Sequence, residues 1–518
     1  MVKNKISIDN RDRLVIRSGI IFLLIAHVFR WTNAMFNHDS LLIYQIDTGW
    51  QISLGRILVP LYASLRGRVV SPVICAVCGS AFLLMAMMII VRLLDVKKEV
   101  SVVLLCGMLA THETLAFLNA SFLFVYDADM LALLFSVLAV YFMQAEKIRF
   151  HWPAAVCCIA ASLGLYQSYV EVTLVLIQIC IIKRLLDGED TKSLWKYGLG
   201  CIAAVLAGGL LYVICLKVTL NVTGEPLAEN YNSLLRMGSL FHTDFIRLLK
   251  RTWRRGLTYL RAPEAMHREF SALMNFGLGL SAAALFIAHA VRAKWGRAQF
   301  LLILFLAAVM PLSFNISYLL SGGLKHGLMT YSNVLYFVLV IMIMDRMENS
   351  TGQVRKTIYA AMSVMLSVLI FNHLSFSNSL YVRKSLEYDA TKSLMTRLAA
   401  RMEKTEGYKV GETPVAILGV LDESPLNMEK PGLDFVKDHW VGTGHNFSIS
   451  YYETYDAEFK YILGYPVNLV PENDTKQFMT MDEVIQMPVF PYEGSIKMVG
   501  DTMVIKLSED MRTERQRF

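Results

Sequence analysis

Between Pro72 and Leu94 the chain carries one charged residue, Arg92, and the run stops at Lys97 and Lys98. Such a run can cross a bilayer, whose hydrocarbon core takes about 20 helical residues. The pattern recurs. Apolar segments occupy about residues 18–36, 72–94, 100–118, 129–144, 153–166, 169–182, 197–218, 273–291, 300–314, 328–344 and 357–376. Lipid offers backbone groups no hydrogen bonds, so each spanning segment must be an α-helix. The expected fold is therefore an α-helical polytopic membrane protein with about eleven transmembrane helices. Composition agrees: 55% of the 518 residues are hydrophobic and 18% are charged, where a soluble domain carries about a quarter charged.

Basic residues set the orientation. Lys3, Lys5, Arg11, Arg13 and Arg17 lead the first segment, and no small-residue cleavage site follows it, so it should stay as the first helix. Further clusters lie at Lys97/Lys98, Lys147/Arg149, Lys183/Arg184, Arg292/Lys294 and Arg346/Arg355/Lys356. All fall on one side if the N-terminus is cytoplasmic. An odd helix count then places residues 377–518 outside, giving a membrane domain over 1–376 and an extracytoplasmic soluble domain over 377–518. The net charge of +7 is this topology signal rather than a nucleic-acid footprint, since no basic domain or binding motif accompanies it.

Two regions depart from the pattern. Residues 234–253 carry an apolar stripe of Leu234, Met237, Phe241, Phe245 and Leu248, opposed by Arg247, Lys250, Arg251 and Arg254. This predicts an amphipathic helix lying on the outer leaflet. After residue 377 the composition changes. Leu394, Leu398 and Met402 predict an amphipathic helix, 414–420 a buried strand, and 496–498 with 503–507 a hairpin around Gly500-Asp501. Together they predict a small α/β domain. The eight cysteines all lie in the membrane segments. Cys75 and Cys78 have CxxC spacing but no second ligand pair, so buried, inert thiols are the better reading.

The candidate chemistry crowds the outer helix ends. The first external loop holds Asp39, Asp47 and Arg56. A carboxylate just above an apolar helix can act as a general base, and an arginine there can steady a phosphate. The second external loop holds His112, Glu113, Asp127 and Asp129. One Asp at a helix start is explained by capping, two less well. His112-Glu113 lacks the second histidine of a metal helix, so no metal site is expected. Tyr166 and Gln167 form a tight turn, with Glu171 about one turn into the next apolar helix, where an ionisable group is costly. Lys325 and His326 precede the tenth helix, and Arg30 near the end of the first reads as a snorkelling residue. No phosphate loop, dinucleotide fingerprint or nucleophile elbow is present. An enzyme of this kind would not use a cytoplasmic nucleotide directly. A lipid-linked donor suits sites at headgroup level.

The sequence also resembles a family. "HDS" and "GRILVP" in the first loop, "YDADMLALLFSVLAVYF" and "GLYQSY" carry the likeness, in that order along the chain. So do "KHGLMTYS", "SLYVRKSLEYDATKSLMTRL" and "GSIKMVGDTMVIKLS". They are similar to the Gtr-type (type II) glucosyltransferases, polytopic enzymes of the GT-C glycosyltransferase superfamily. The resemblance implies a GT-C-like membrane domain without cofactor. It implies transfer of a sugar, typically glucose, from a polyprenyl-phosphate donor to a surface polysaccharide or envelope glycan. The site would lie on the outer face of a bacterial cytoplasmic (inner) membrane. A first-loop acid would serve as base, which carries over to Asp39, with Asp47 as rival because His38 stands where many relatives have a second acid. On this reading Arg56, Arg251, Lys325 and His326 meet the donor phosphate. Glu113, Asp127, Asp129, Tyr166, Gln167 and Glu171 meet sugar or acceptor. The alternative is a transporter or flippase of a lipid-linked sugar, whose sites should lie nearer the midplane and in internal repeats.

Overall fold

The computed structural model describes residues 9–36, 47–228, 245–261, 263, 267–321, 323, 327–347, 353–420, 432–436 and 452–512. The chain forms two compact units. The larger contains Met1–Val28, Ile46–Leu118 and Leu123–Ser377. The smaller contains Phe29–Gln45, Asn119–Phe122 and Asn378–Phe518.

The larger unit is helical. Among the described residues, six stretches are long and apolar enough to cross a bilayer: Asn10–Thr32, Pro72–Leu94, Glu99–Gln144, Thr191–Thr223, Arg268–Arg292 and Gln353–Met402. The chain is a polytopic helical membrane protein on this count. Shorter helices cover His151–Leu165, Val170–Leu186, Arg297–Ser313 and Val334–Met347. The Glu99–Gln144 stretch is mostly buried and forms the heart of this unit, whereas Thr191–Thr223 and Arg268–Arg292 leave most of their surface exposed. That apolar exposure is what lipid would cover.

Small residues allow the close approaches. A Cβ on Gly79 would sit 2.4 Å from the ring of Tyr126, so Pro72–Leu94 packs hard against Tyr126–Gln144. Gly256 touches backbone in the same way: its Cβ would fall 2.1 Å from the Pro311 carbonyl oxygen. This seats the helix Phe245–Arg261 on Arg297–Ser313. The expected amphipathic helix is thus present but runs on past Trp253, and residues 234–244 lie outside the described residues.

The central stretch is not one helix. It breaks at His112, whose backbone is extended (ψ 140°) and whose ring caps the next helix by accepting from the Thr114 N–H. A histidine here ends Glu99–Thr111 and starts Glu113–Phe122 in one residue.

In the smaller unit Arg30 does not snorkel. It is buried and donates to three carbonyls, Asn119, Asn33 and Met35, each at 2.9 Å. The Trp31 indole N–H adds a bond to Asn119 Oδ1 at 2.7 Å. Satisfying a buried guanidinium by carbonyls makes it a staple, not an interface anchor. The rest of the unit is built on a four-stranded sheet, β2-β1-β4-β3, of Pro414–Leu418 (β1), Asn468–Leu469 (β2), Ile496–Val499 (β3) and Thr502–Lys506 (β4). β1 runs parallel to β2 and β4, and β3 and β4 are an antiparallel hairpin. The two-residue alternation of β1 sorts its side chains. Val415 and Ile417 meet Leu394, Leu398 and Met402 of Gln353–Met402, while Ala416 and Leu418 meet Phe478, Val484 and Met487.

Candidate functional site

Four polar groupings in the larger unit collect most of the residues singled out from sequence. The first is an ion pair. The Arg66 guanidinium contacts both Asp127 oxygens at 2.8 Å, and the Tyr62 hydroxyl donates to Asp127 Oδ2 at 2.8 Å. Arg66 and Tyr62 lie on the short helix Val59–Arg66, and Asp127 opens Tyr126–Gln144. Asp127 also accepts from the Ala128 N–H. Its oxygens are engaged, and its work here is to fasten the first-loop helix.

The second grouping centres on Arg56. Arg56 stacks 4.5 Å from the centre of the Tyr166 ring and donates to Gln51 at 3.3 Å. Its Nε is buried with no hydrogen bond among the described residues. The turn that aims it is fixed from behind. Gly55 has a positive φ of 78°, the Tyr212 hydroxyl donates to its carbonyl at 2.9 Å, and the Gln167 amide donates to the Leu54 carbonyl at 3.0 Å. Asp129 is 5% exposed. No hydrogen bond to its carboxylate is found among the described residues. Arg56 is the opposite charge acting on it most strongly, and Asp127 the neighbouring like charge. A buried carboxylate without a hydrogen bond is unusual, because buried charges normally pair. A ligand hydroxyl would satisfy it.

Asp47 is also settled locally. It is the N-cap of Thr48–Ser53 and accepts from the Trp50 N–H at 3.0 Å. Glu171, in the third grouping, is fully buried. It accepts from the Ser317 N–H at 3.0 Å, from the Ser317 hydroxyl, and from the Ser332 hydroxyl at 2.8 Å. It joins three segments rather than facing an opening. Arg251 is exposed on Phe245–Arg261. Asp39, Lys325 and His326 lie outside the described residues.

The fourth grouping surrounds Glu113. Its Oε2 lies 3.4 Å from His112 Nε2 and 3.7 Å from His373 Nε2, and His112 Nε2 lies 3.1 Å from the Tyr259 hydroxyl. Sequence reading missed His373, Tyr259, Arg66 and Tyr62. For His373 a signal existed, an ionisable residue inside the apolar run 357–376. The others take meaning only from partners remote in sequence. Among the described residues no group of three His, Cys, Asp or Glu side chains has the geometry to hold a metal ion, and the cysteines there are free thiols.

These features define a class: a helical polytopic membrane protein with charged and aromatic groups gathered at helix ends. Comparison with known families carries the assignment further. The family described as Glucosyl transferase GtrII matches residues 28–344, and the chain belongs to that family of glucosyltransferases. Neither the curated proteins nor the solved structures compared with the chain gave a match.

Proposed function

We propose that the protein moves glucose from a polyprenyl-phosphate carrier to a cell-surface polysaccharide or related envelope glycan, on the outer face of a bacterial cytoplasmic membrane. The chain crosses that membrane about eleven times, with the N-terminus inside and residues 377–518 outside. The observation that supports the reading, beside the family match over 28–344, is the Arg56 guanidinium stacked on Tyr166, together with the buried Asp129 carboxylate, which has no hydrogen bond among the described residues.

The chemistry is an inverting displacement. Asp39 takes the proton of the acceptor hydroxyl, whose oxygen attacks the anomeric carbon. The bond from that carbon to the phosphate oxygen breaks, and its electron pair leaves with the phosphate. Arg56, Arg251, Lys325 and His326 offset the charge that develops there. Asp129 and the Tyr166 hydroxyl and ring meet the sugar hydroxyls, and Glu113 acts through the histidines beside it. Gln167 acts by holding the Leu54–Arg56 turn. Asp127 and Glu171 brace the site from behind, their oxygens already engaged. The capping bond of Asp47 favours Asp39 as the base.

The test is Asp39→Asn. The variant should insert at wild-type abundance and transfer no glucose to envelope glycan. Near wild-type transfer would remove Asp39 from the mechanism.

A further inference from the structure

The grouping around Glu113 is not used by the mechanism above beyond Glu113 itself. We infer that His373, oriented by Glu113, donates a hydrogen bond to the phosphate of the lipid-linked donor, and that His112 and Tyr259 complete the same anion site. This rests on the glucosyl-transfer reading and deepens it.

The imidazole geometry gives the roles. His112 Nδ1 accepts from the Thr114 N–H, so in the neutral ring the hydrogen is on Nε2, beside Tyr259 and Glu113. His373 turns Nε2 to the Glu113 carboxylate, while its Nδ1 is buried with no hydrogen bond among the described residues. A buried ring nitrogen without a partner is rare and calls for one. The rings are held edge-on by neighbours: Tyr331 against His112 at 5.9 Å between centres, and Phe337 against His373 at 6.4 Å. An imidazole with a carboxylate 3.7 Å from one nitrogen and no hydrogen bond on the other, among the described residues, can act through the second.

Charge selects an anion as the missing partner. Tyr259 reaches the grouping from Phe245–Arg261, and that helix exposes Arg247, Lys250, Arg251, Arg254 and Arg255. A one-signed face draws counter-charge toward it. When the phosphodiester of the donor arrives, His373 carries a proton on both nitrogens, Nε2–H toward Glu113 and Nδ1–H toward a phosphate oxygen. That charge-assisted bond strengthens as the anomeric bond breaks and electrons pass to the phosphate. Glu113 is the positioning residue. Among the described residues, the other titratable ring packed on His373 is His112, at 5.9 Å between centres, and Tyr259 and Tyr331 lie against His112.

Two substitutions separate the nitrogens. Asparagine places its amide N–H where Nδ1 was, and glutamine places its own where Nε2 was. With wild-type transfer from polyprenyl-phosphate glucose first established in the full-length protein, kcat/KM for the donor is measured for both. His373→Gln should lose roughly ten- to a hundredfold, and His373→Asn should retain clearly more. Glutamine equal to or better than asparagine would mean that His373 serves only to pack against Glu113, and the proposal falls. If neither variant inserts, the wild type decides. Binding of polyprenyl-phosphate glucose, followed calorimetrically near pH 7 in buffers of different ionisation heat, should take up about one proton. The phosphodiester does not titrate there, so the proton belongs to the protein, and binding without uptake overturns the proposal. A wild type without transfer would count against the functional reading itself, and the binding measurement would still judge the anion site.

Discussion

Arg66 reaches both carboxylate oxygens of Asp127 at 2.8 Å, with the two side chains 3% and 0% exposed. Removing one partner strands a buried charge, which costs about 3–5 kcal/mol, whereas replacing both by apolar groups is often neutral. Arg66→Met and Asp127→Leu should each lower thermal stability and abundance in the membrane. The double variant should recover both and keep transfer activity. A double variant that is stable but inactive would return Asp127 to the group of residues that touch substrate.

Asp47 offers a contrast. Its carboxylate caps a helix of 6 residues through Trp50. Asp47→Ala should cost about 1 kcal/mol of local stability, and Asp47→Ser should restore it. Transfer rates should stay within about threefold of wild type, a range below the tenfold that 1.4 kcal/mol represents. Loss of transfer in Asp47→Ser at normal abundance would promote Asp47 to base.

Asp129 should behave in the opposite sense. With no hydrogen bond to its carboxylate among the described residues, Asp129→Asn breaks no internal contact and removes a buried charge. Thermal stability should be unchanged or higher, while transfer falls by roughly a hundredfold, the size expected when a charged hydrogen bond to substrate is lost. Activity and melting temperature measured on the same preparation check both halves.

Glu458 makes the smaller unit sensitive to pH. It opens a π-helical turn, Glu458–Ile462, and is buried, with Oε2 lacking a hydrogen bond among the described residues. Burial pushes its carboxyl up from 4.5 to about 8. The folded form therefore holds a proton that the unfolded form has released. The neutral acid's advantage is fully present below pH 4.5 and is lost as pH rises toward 8, at up to about 1.4 kcal/mol per unit. Hydrogen exchange of the β1 amides, corrected for intrinsic rate, should speed up between pH 5.5 and 8.5 by this route. Glu458→Gln should flatten the profile.

What the sequence discloses and what it hides follow from distance along the chain. The run from Pro72 to Leu94 is legible because length and apolarity are local properties, and the helix has those limits. The Leu394, Leu398 and Met402 stripe is legible for the same reason, and all three side chains pack on the sheet. Arg66 and Asp127 lie 61 positions apart, and no periodicity links them. Glu171 reads as functional because an acid in an apolar run is costly, yet its cost is met by Ser317 and Ser332, remote in sequence. Arg30 misleads likewise: near a helix end it suggests an interface anchor, and only the folded chain supplies its three carbonyls. Arg56 and Asp129 are half legible, since both residue types stand out, but the stack of Arg56 on Tyr166 and the missing hydrogen bond of the Asp129 carboxylate do not.

The central claim is glucosyl transfer from a lipid carrier. It is tested most directly by supplying radiolabelled polyprenyl-phosphate glucose and isolated envelope glycan to membranes with and without the protein. The account predicts label in the glycan only when the protein is present, and none with Asp39→Asn. Intact donor and unlabelled glycan, with the protein correctly inserted, would contradict it and turn attention to movement of the lipid-linked sugar across the membrane.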